Sequence, residues 1–195
     1  ELGDFLNYLD DKIGKGEYLV FLSADHGAQN VPAFMEEHRI PGGVFSEPGF
    51  KDGLIKNIDS LFHIKNVVKN LRNFQLYLDN ETIKKSGKEN EVYAAILQYC
   101  KDRLYVQEAF YFRDLYKSNM PEPIVSMVKN GYNANRSGDL QIIPKPGWFE
   151  SGDHASTHGV WAAYDRHIPL LFFGWNIQPG KTNRETYMTD IAATV

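Results

Sequence analysis

The chain has 195 residues and a formal net charge of -4, with 43% hydrophobic and 24% charged residues. This length and apolar content suffice for one sizeable core, or a core with a small subdomain, and they exclude a disordered chain. Because the balance is slightly acidic, lysine and arginine do not cluster, and no apolar run reaches the ~18 residues of a membrane span, we expect neither a nucleic-acid partner nor a membrane partner.

The first part of the chain predicts a helix, a strand and a short second helix. Apolar residues at helical spacing indicate an amphipathic helix over residues 2–14, ended by glycines. The apolar run at residues 18–22 predicts a strand covered on both faces, as in a parallel sheet. Residues 31–38 predict a short helix, with Pro32 at an early position where its missing N–H costs little.

The middle of the chain predicts alternating strands and helices. Segments in which apolar and polar residues alternate indicate half-covered strands, and segments with helical spacing lie between them. The predicted order is strand, helix, strand, helix, strand at residues 73–78, 89–103, 106–112, 123–129 and 139–143. We therefore predict a small α+β insertion at residues 62–146 and a core α/β portion made of residues 1–61 and 147–195.

Two apolar runs adjoin residues that can bind a metal ion. Asp25 and His26 follow the first predicted strand, and Gly27 permits a turn that could aim both side chains at one point. A carboxylate beside an imidazole suits zinc or a similar divalent ion. His158 lies in a second His-Gly segment, shortly before the apolar run at residues 168–173. A strand-end Asp-His pair that only hydrogen-bonds its loop is the simpler alternative, and it stays open.

Together these motifs resemble the alkaline phosphatase superfamily. The resemblance rests on Ser-Ala-Asp-His-Gly at residues 23–27 and on Thr-His-Gly, Tyr-Asp and Ile-Pro-Leu-Leu-Phe-Phe-Gly within residues 157–174. It is strongest to the monomeric phosphatases with a threonine nucleophile and to the related nucleotide pyrophosphatase/phosphodiesterases. The resemblance implies an α/β fold, namely part of a three-layer α/β/α sandwich that carries the α+β insertion. It also implies hydrolysis of phosphoric esters at a two-zinc site, through a covalent phospho-Thr or phospho-Ser intermediate.

The resemblance further implies the metal ligands. Asp25 and His26 match two ligands of the zinc ion that activates the nucleophile, and His158 matches one ligand of the zinc ion facing the leaving-group oxygen. The nucleophile and the other ligands have no counterpart in the chain, so we expect a carboxyl-terminal portion of a longer enzyme, with an incomplete site and no catalytic residue. By resemblance, the substrate is a small-molecule phosphate ester and the enzyme is periplasmic or secreted. Uncovered apolar faces should favour self-association of the isolated chain.

Alternative functions remain at this stage. A nucleotide pyrophosphatase or phosphodiesterase is the nearest alternative to a phosphomonoesterase, because the residues that distinguish them are not identifiable here. A noncatalytic metal-binding module of the same fold is the alternative from another class. A sulfatase or a metal-dependent phosphomutase shares the scaffold and ranks lower.

Several other residues have both a structural and a functional interpretation. Asp165 could accept the second N–H of a metal-bound imidazole, or could simply cap a turn. His154 is four residues before His158, but neighbouring glycines argue against a helix, so we consider it at most an outer-shell or substrate-facing group. Packing or turn roles are preferred for Cys100, for Trp148 and Phe149, and for the segment Arg136-Ser137-Gly138-Asp139.

Overall fold

The structure, a computed structural model, describes residues 1–150, 152 and 154–195. The chain has a mixed α/β fold and divides into two compact units. The first unit comprises Glu1–Gly27 and His167–Val195, and the second unit comprises Ala28–Arg166. The predicted division into a core portion and an insertion at residues 62–146 stays a prediction.

Helices and strands alternate along the described residues. The helices are α1 (Leu2–Lys12), α2 (Pro32–Glu37), α3 (Glu47–Phe62), α4 (Asn80–Lys85), α5 (Glu89–Lys101), α6 (Ile124–Gly131), α7 (Ala163–Arg166) and α8 (Ile191–Thr194). The strands are β1 (Leu19–Ser23), β2 (Gly43–Val44), β3 (Val68–Arg72), β4 (Gln75–Leu78), β5 (Val106–Tyr111), β6 (Leu140–Pro144), β7 (Trp148–Phe149) and β8 (Leu170–Gly174). Short 3-10 helices cover Phe112–Lys117 and Met188–Asp190. Within the described part of the chain, no helix is both long and apolar enough to cross a bilayer.

The first unit contains a two-stranded antiparallel sheet. Strand β1 pairs with β8, so that Leu19 lies opposite Gly174 and Ser23 lies opposite Leu170. Phe21 of this sheet is 46% exposed. The prediction of a strand covered on both faces, as in a parallel sheet, is therefore wrong for this structure. An apolar run indicates that a strand is suited to burial, but it specifies neither the covering segment nor the direction of the neighbouring strand.

The second unit contains a four-stranded antiparallel sheet in the order β3-β4-β6-β5. Helices α3 and α5 contact each other and pack on this sheet. Helix α5 buries Val92, Ile96 and Cys100, which are spaced four residues apart and therefore share one face. The resulting core also takes in Phe45, whose ring lies 5.0 Å from that of Phe74. This unit closes a hydrophobic core of its own.

The sequence-based element predictions for the second unit are largely confirmed. The predicted strand, helix, strand, helix, strand series corresponds to β4, α5, β5, α6 and β6, and α2 is also present. The unit additionally contains strands β2, β3 and β7, helices α3, α4 and α7, and the 3-10 helix Phe112–Lys117. Helix α3 has a local start signal, since the Ser46 side chain accepts a hydrogen bond from the Gly49 N–H at 3.1 Å. Its buried residues Phe50, Leu54 and Ile58 follow helical spacing.

Candidate metal centre

The end of strand β1 places Asp25 and His26 next to each other in the first unit. The strand end is fixed by Ser23, whose Oγ donates to the Pro169 carbonyl oxygen at 2.9 Å. The His26 backbone N–H donates to Asp25 Oδ1 at 3.1 Å, and His26 Nε2 lies 3.4 Å from Asp25 Oδ2. The Asp25 side chain is 83% exposed and that of His26 is 36% exposed. The Asp25 carboxylate and the His26 imidazole therefore lie together at the surface of this unit.

The other imidazole nitrogen of His26 has a backbone partner. Nδ1 lies 2.6 Å from the Gly27 carbonyl oxygen. Because a carbonyl oxygen only accepts hydrogen bonds, this contact places the hydrogen of the neutral ring on Nδ1. Nε2 then carries the lone pair on the side of the ring that faces Asp25. Metal-binding histidines commonly use this pattern, in which one ring N–H donates to a carbonyl and the other nitrogen binds the ion.

The separation of these two atoms suits a tetrahedral ion. Ligand atoms about 2.0–2.1 Å from a tetrahedral zinc ion lie about 3.3 Å from each other. The 3.4 Å between His26 Nε2 and Asp25 Oδ2 agrees with this value. Asp25 and His26 could therefore supply two ligands to one divalent ion. Within the described residues, no group of three or more His, Cys, Asp or Glu side chains has an arrangement that could hold a metal ion.

His158 lies in the second unit, in a loop that hydrogen bonds hold on both sides. We call residues 156–160 the His158 loop. Before His158, the Thr157 carbonyl oxygen accepts from the Gln29 N–H at 3.3 Å, and Ser156 Oγ donates to the Gln29 carbonyl oxygen. After His158, the backbone N–H groups of residues 159 and 160 donate to one carboxylate oxygen of Asp165, at 2.6 and 2.7 Å. The backbone around the His158 side chain is thus fixed from both directions.

The structure favours one of the two interpretations of Asp165. Its Oδ2 atom accepts the two backbone N–H groups that follow His158, so this carboxylate acts on the loop backbone. Asp165 is only 3% exposed, and its Oδ1 atom is buried without a hydrogen-bond partner among the described residues. The capping interpretation therefore accounts for the contacts of Oδ2, but it does not explain why Oδ1 is buried.

Residues 154–158 are not helical, as the glycines predicted, and His154 is exposed. Asp25 and His26 belong to the first unit and His158 to the second, so the three form no group within either unit. The roles of Gln29 and Ser156 are not evident from the sequence. Gln29 is three residues after His26 and Ser156 is two before His158, but only their long-range hydrogen bonds reveal the connection.

The segment at residues 136–139 makes the contacts of a strand entry. Gly138 N–H donates to Gln75 Oε1 at 2.8 Å, and a Cβ atom at Gly138 would come within 2.6 Å of the Leu76 carbonyl oxygen. Asp139 Oδ2 accepts from the Leu78 N–H at 2.7 Å. This confirms the turn interpretation of the segment.

The packing interpretations of Cys100 and of the two aromatic residues are confirmed as well. Phe149 is 1% exposed, and the Trp148 ring lies 5.4 Å from that of Tyr105. Cys100 is fully buried on α5, and burial raises the pKa of its thiol to about 12. A thiol that stays protonated at neutral pH is a poor nucleophile, so Cys100 serves packing.

The fold and these motifs identify the class of protein. The family model described as type I phosphodiesterase / nucleotide pyrophosphatase matches residues 1–165. The chain therefore belongs to this family.

Relatives with names and solved structures refine this assignment. The chain is 43% identical over 197 residues to alkaline phosphatase PafA of Elizabethkingia meningoseptica. It is 41% identical over 205 residues to alkaline phosphatase PhoV of Synechococcus elongatus, and 40% identical over 198 residues to a Myroides odoratus protein named calcium-transporting ATPase. Each match takes in 100% of this chain but only 35% or 36% of the relative. The chain thus spans about a third of the length of these relatives.

The crystal structure of wild-type alkaline phosphatase PafA is similar to this fold. The TM-score is 0.86 at 41% sequence identity, and the match covers 98% of this chain and 36% of that one. The predicted resemblance to the alkaline phosphatase superfamily and the predicted α/β fold class are both confirmed.

Proposed function

We propose that the protein to which this chain belongs is a metal-dependent phosphoric ester hydrolase with two zinc ions. Asp25 and His26 hold the ion next to a Ser or Thr nucleophile, and His158 binds the ion next to the leaving-group oxygen. The observation that carries the proposal is the His26 ring, whose Nδ1 is bound to the Gly27 carbonyl while Nε2 faces Asp25 at 3.4 Å. Family membership gives this geometry its chemical context.

Each of these residues has a definite task in the proposed reaction. The Gly27 carbonyl keeps the His26 ring in the orientation and tautomer needed for binding an ion, and the Asp25 carboxylate contributes negative charge. The hydrogen bonds of the His158 loop hold the third ligand in place. When bound, zinc ions held by these residues would lower the pKa of the attacking hydroxyl and balance charge on the departing oxygen. A zinc ion binds ionised carboxylate and neutral imidazole side chains, so acidification should release the ions.

The remaining parts of the proposal concern the rest of the protein. The nucleophile, which forms the covalent phosphoenzyme, and the other zinc ligands lie outside residues 1–195. The substrate is a small-molecule phosphate ester, and the protein is exported, as the family resemblance suggests. The names of two relatives support a phosphomonoesterase. The family model supports a phosphodiesterase or nucleotide pyrophosphatase as the second candidate. Hydrolysis rates for p-nitrophenyl phosphate and bis-p-nitrophenyl phosphate would separate the two.

The test is substitution of His26 in the complete protein. His26→Ala should remove one of two zinc ions, measured by elemental analysis, and should lower the rate of p-nitrophenyl phosphate hydrolysis by more than about 100-fold. His38→Ala is a matched control, because His38 Nδ1 also contacts a backbone carbonyl, that of Phe34, at 2.9 Å, but His38 belongs to no proposed site. This control should change neither quantity.

Three results would contradict parts of the proposal. Full zinc content and full activity in His26→Ala would exclude His26 as a ligand. Zinc binding without hydrolysis of either ester would favour the noncatalytic module. A complete protein that neither binds zinc nor hydrolyses phosphate esters would refute the function as a whole.

A further inference from the structure

We propose that Asp165 is a positioning residue that holds the metal-binding imidazole of His158 in place by fixing the loop backbone behind it. This inference rests on the proposed role of His158 as a zinc ligand. The sequence motifs do not decide whether this buried carboxylate is the partner of an imidazole or the cap of a turn. The inference gives it a definite task. All of the contacts that carry it lie within the second unit.

The first step is the local geometry of the two hydrogen bonds. Asp165 Oδ2 accepts from Gly159 N–H at 2.6 Å and from Val160 N–H at 2.7 Å. Bonds of this length from backbone N–H groups to a carboxylate are charge-assisted and are stronger than neutral ones. Gly159 has a φ of 97°, a conformation that glycine adopts readily, and it directly follows His158. Asp165 therefore fixes the turn at which the chain leaves the proposed ligand.

The second step is that Asp165 is itself anchored. Its N–H donates to the Ala162 carbonyl oxygen at 3.0 Å, within the turn that leads into α7. The neighbouring Tyr164 hydroxyl accepts from the Gly147 N–H at 2.9 Å, which ties α7 to the segment before β7. A carboxylate on a fixed element can hold a loop, whereas a solvated one could not. These contacts therefore connect the backbone at His158 to the folded part of the second unit.

The third step is the buried Oδ1 atom. A carboxylate oxygen that is removed from water without a hydrogen-bond partner lowers the free energy of unfolding. Buried groups left unpaired in this way call for an explanation at a functional site. The two bonds to Oδ2, which fix the loop of a proposed zinc ligand, also set the orientation of the carboxylate and are such an explanation.

The test compares variants of the complete, zinc-loaded protein. We expect Asp165→Ala to weaken one of the two zinc sites by about 10–100-fold, measured by competition with a chromophoric chelator, and to leave the other site unchanged. Asp165→Asn should restore most of this affinity, because one amide oxygen can still accept from both backbone N–H groups. Near-ultraviolet circular dichroism establishes that each variant is folded.

Asp139→Ala is the matched control. Asp139 is another carboxylate of the second unit that accepts a backbone N–H, that of Leu78 at 2.7 Å, but it belongs to the entry of β6. This variant should lose stability and keep the wild-type zinc affinity, which separates positioning from general destabilisation.

The outcomes distinguish failure of this inference from failure of the proposed function. Two zinc ions in the wild type with unchanged affinity in Asp165→Ala would overturn the role of Asp165 alone. An Asp165→Asn protein as weak in zinc binding as Asp165→Ala would overturn the mechanism through the loop backbone. If the wild-type protein binds no zinc, the proposed function and this inference both fall.

Discussion

The two units of the chain differ in how they bury apolar side chains. In the second unit, a four-stranded sheet and two helices enclose residues such as Leu54, Ile96 and Ile142, each of which is 0% exposed. In the first unit, the paired strands β1 and β8 leave Phe21 46% exposed and Leu171 56% exposed. An equally apolar sequence thus gives a closed core in one unit and open side chains in the other.

This difference shows that the proposed metal ligands are supported in two different ways. His158 lies in a loop that the second unit fixes with its own hydrogen bonds. Asp25 and His26 follow strand β1, whose apolar side chains remain partly exposed. The chain spans 36% of the length of alkaline phosphatase PafA, and we propose that the remaining part of the protein covers this sheet. Measurements of thiol reactivity, unfolding free energy and self-association would sharpen or break the comparison.

The largest effect should be seen in the reactivity of Cys100. Burial raises the pKa of its thiol to about 12, so at pH 8 the folded chain should react with a thiol reagent at least about a thousandfold more slowly than the unfolded chain. The folded state holds the proton more tightly than the unfolded state does. The contribution of Cys100 to stability is therefore complete below pH ~8.5 and is lost as the pH rises towards about 12.

A cysteine placed in the first unit provides the control for this measurement. In the double variant C100A/L171C, the single thiol lies on the open sheet and should react at nearly the rate of the unfolded chain. Equally slow reaction of the thiols at positions 100 and 171 would contradict the difference in burial between the two units.

The next effect concerns the free energy of unfolding. Ile142→Ala removes a fully buried side chain from the centre of the four-stranded sheet and should cost about 2–5 kcal/mol, measured by chemical denaturation. Leu171→Ala, on the two-stranded sheet, should change this free energy by less than about 1 kcal/mol. Equal losses of unfolding free energy in the two alanine variants would contradict the comparison.

In sedimentation experiments, Leu171→Ser should reduce self-association, because it interrupts an exposed apolar surface.

The smallest effect concerns polar contacts at the edge of the closed core. Asp139→Ala removes the acceptor of the Leu78 N–H and of the Asn80 side-chain amide, both at 2.7 Å, and should cost about 1.5–3 kcal/mol in unfolding free energy. Arg136→Ala should stay within about 0.5 kcal/mol of the wild type. If Arg136→Ala instead raised the KM of the complete protein for a phosphate ester, Arg136 would contact the substrate and the turn interpretation would not account for this segment.

Much of the second unit is predictable because its elements carry a local periodic signal. Val92, Ile96 and Cys100 indicate one helix face from sequence alone, and the structure buries all three. Strand β3 escaped prediction because a register shift between Val68 and Asn70 breaks the period of two on which strand recognition depends. Helix α3 carries both helical spacing and an N-cap serine, so its sequence contains a local signal for a helix.

The candidate site was predictable only as far as its residue types. Asp25 and His26 are adjacent in sequence, and their side chains do lie together. The contact between Gly27 and the His26 ring, and the anchoring of the His158 loop by Asp165, depend on backbone geometry that no motif specifies. The direction of β8 relative to β1 likewise depends on how distant segments meet.

The pairing of β1 with β8 has a consequence for assembly. In a sheet of two strands, each strand uses the hydrogen-bonding groups of only one edge, so each outer edge still has backbone N–H and C=O groups directed away from its neighbour. A further strand can add at either edge without breaking a bond of the existing pair. The pair of β1 and β8 is thus a template to which further strands can be added. Addition of a strand from a second copy of the chain would compete with addition of a strand from the same molecule.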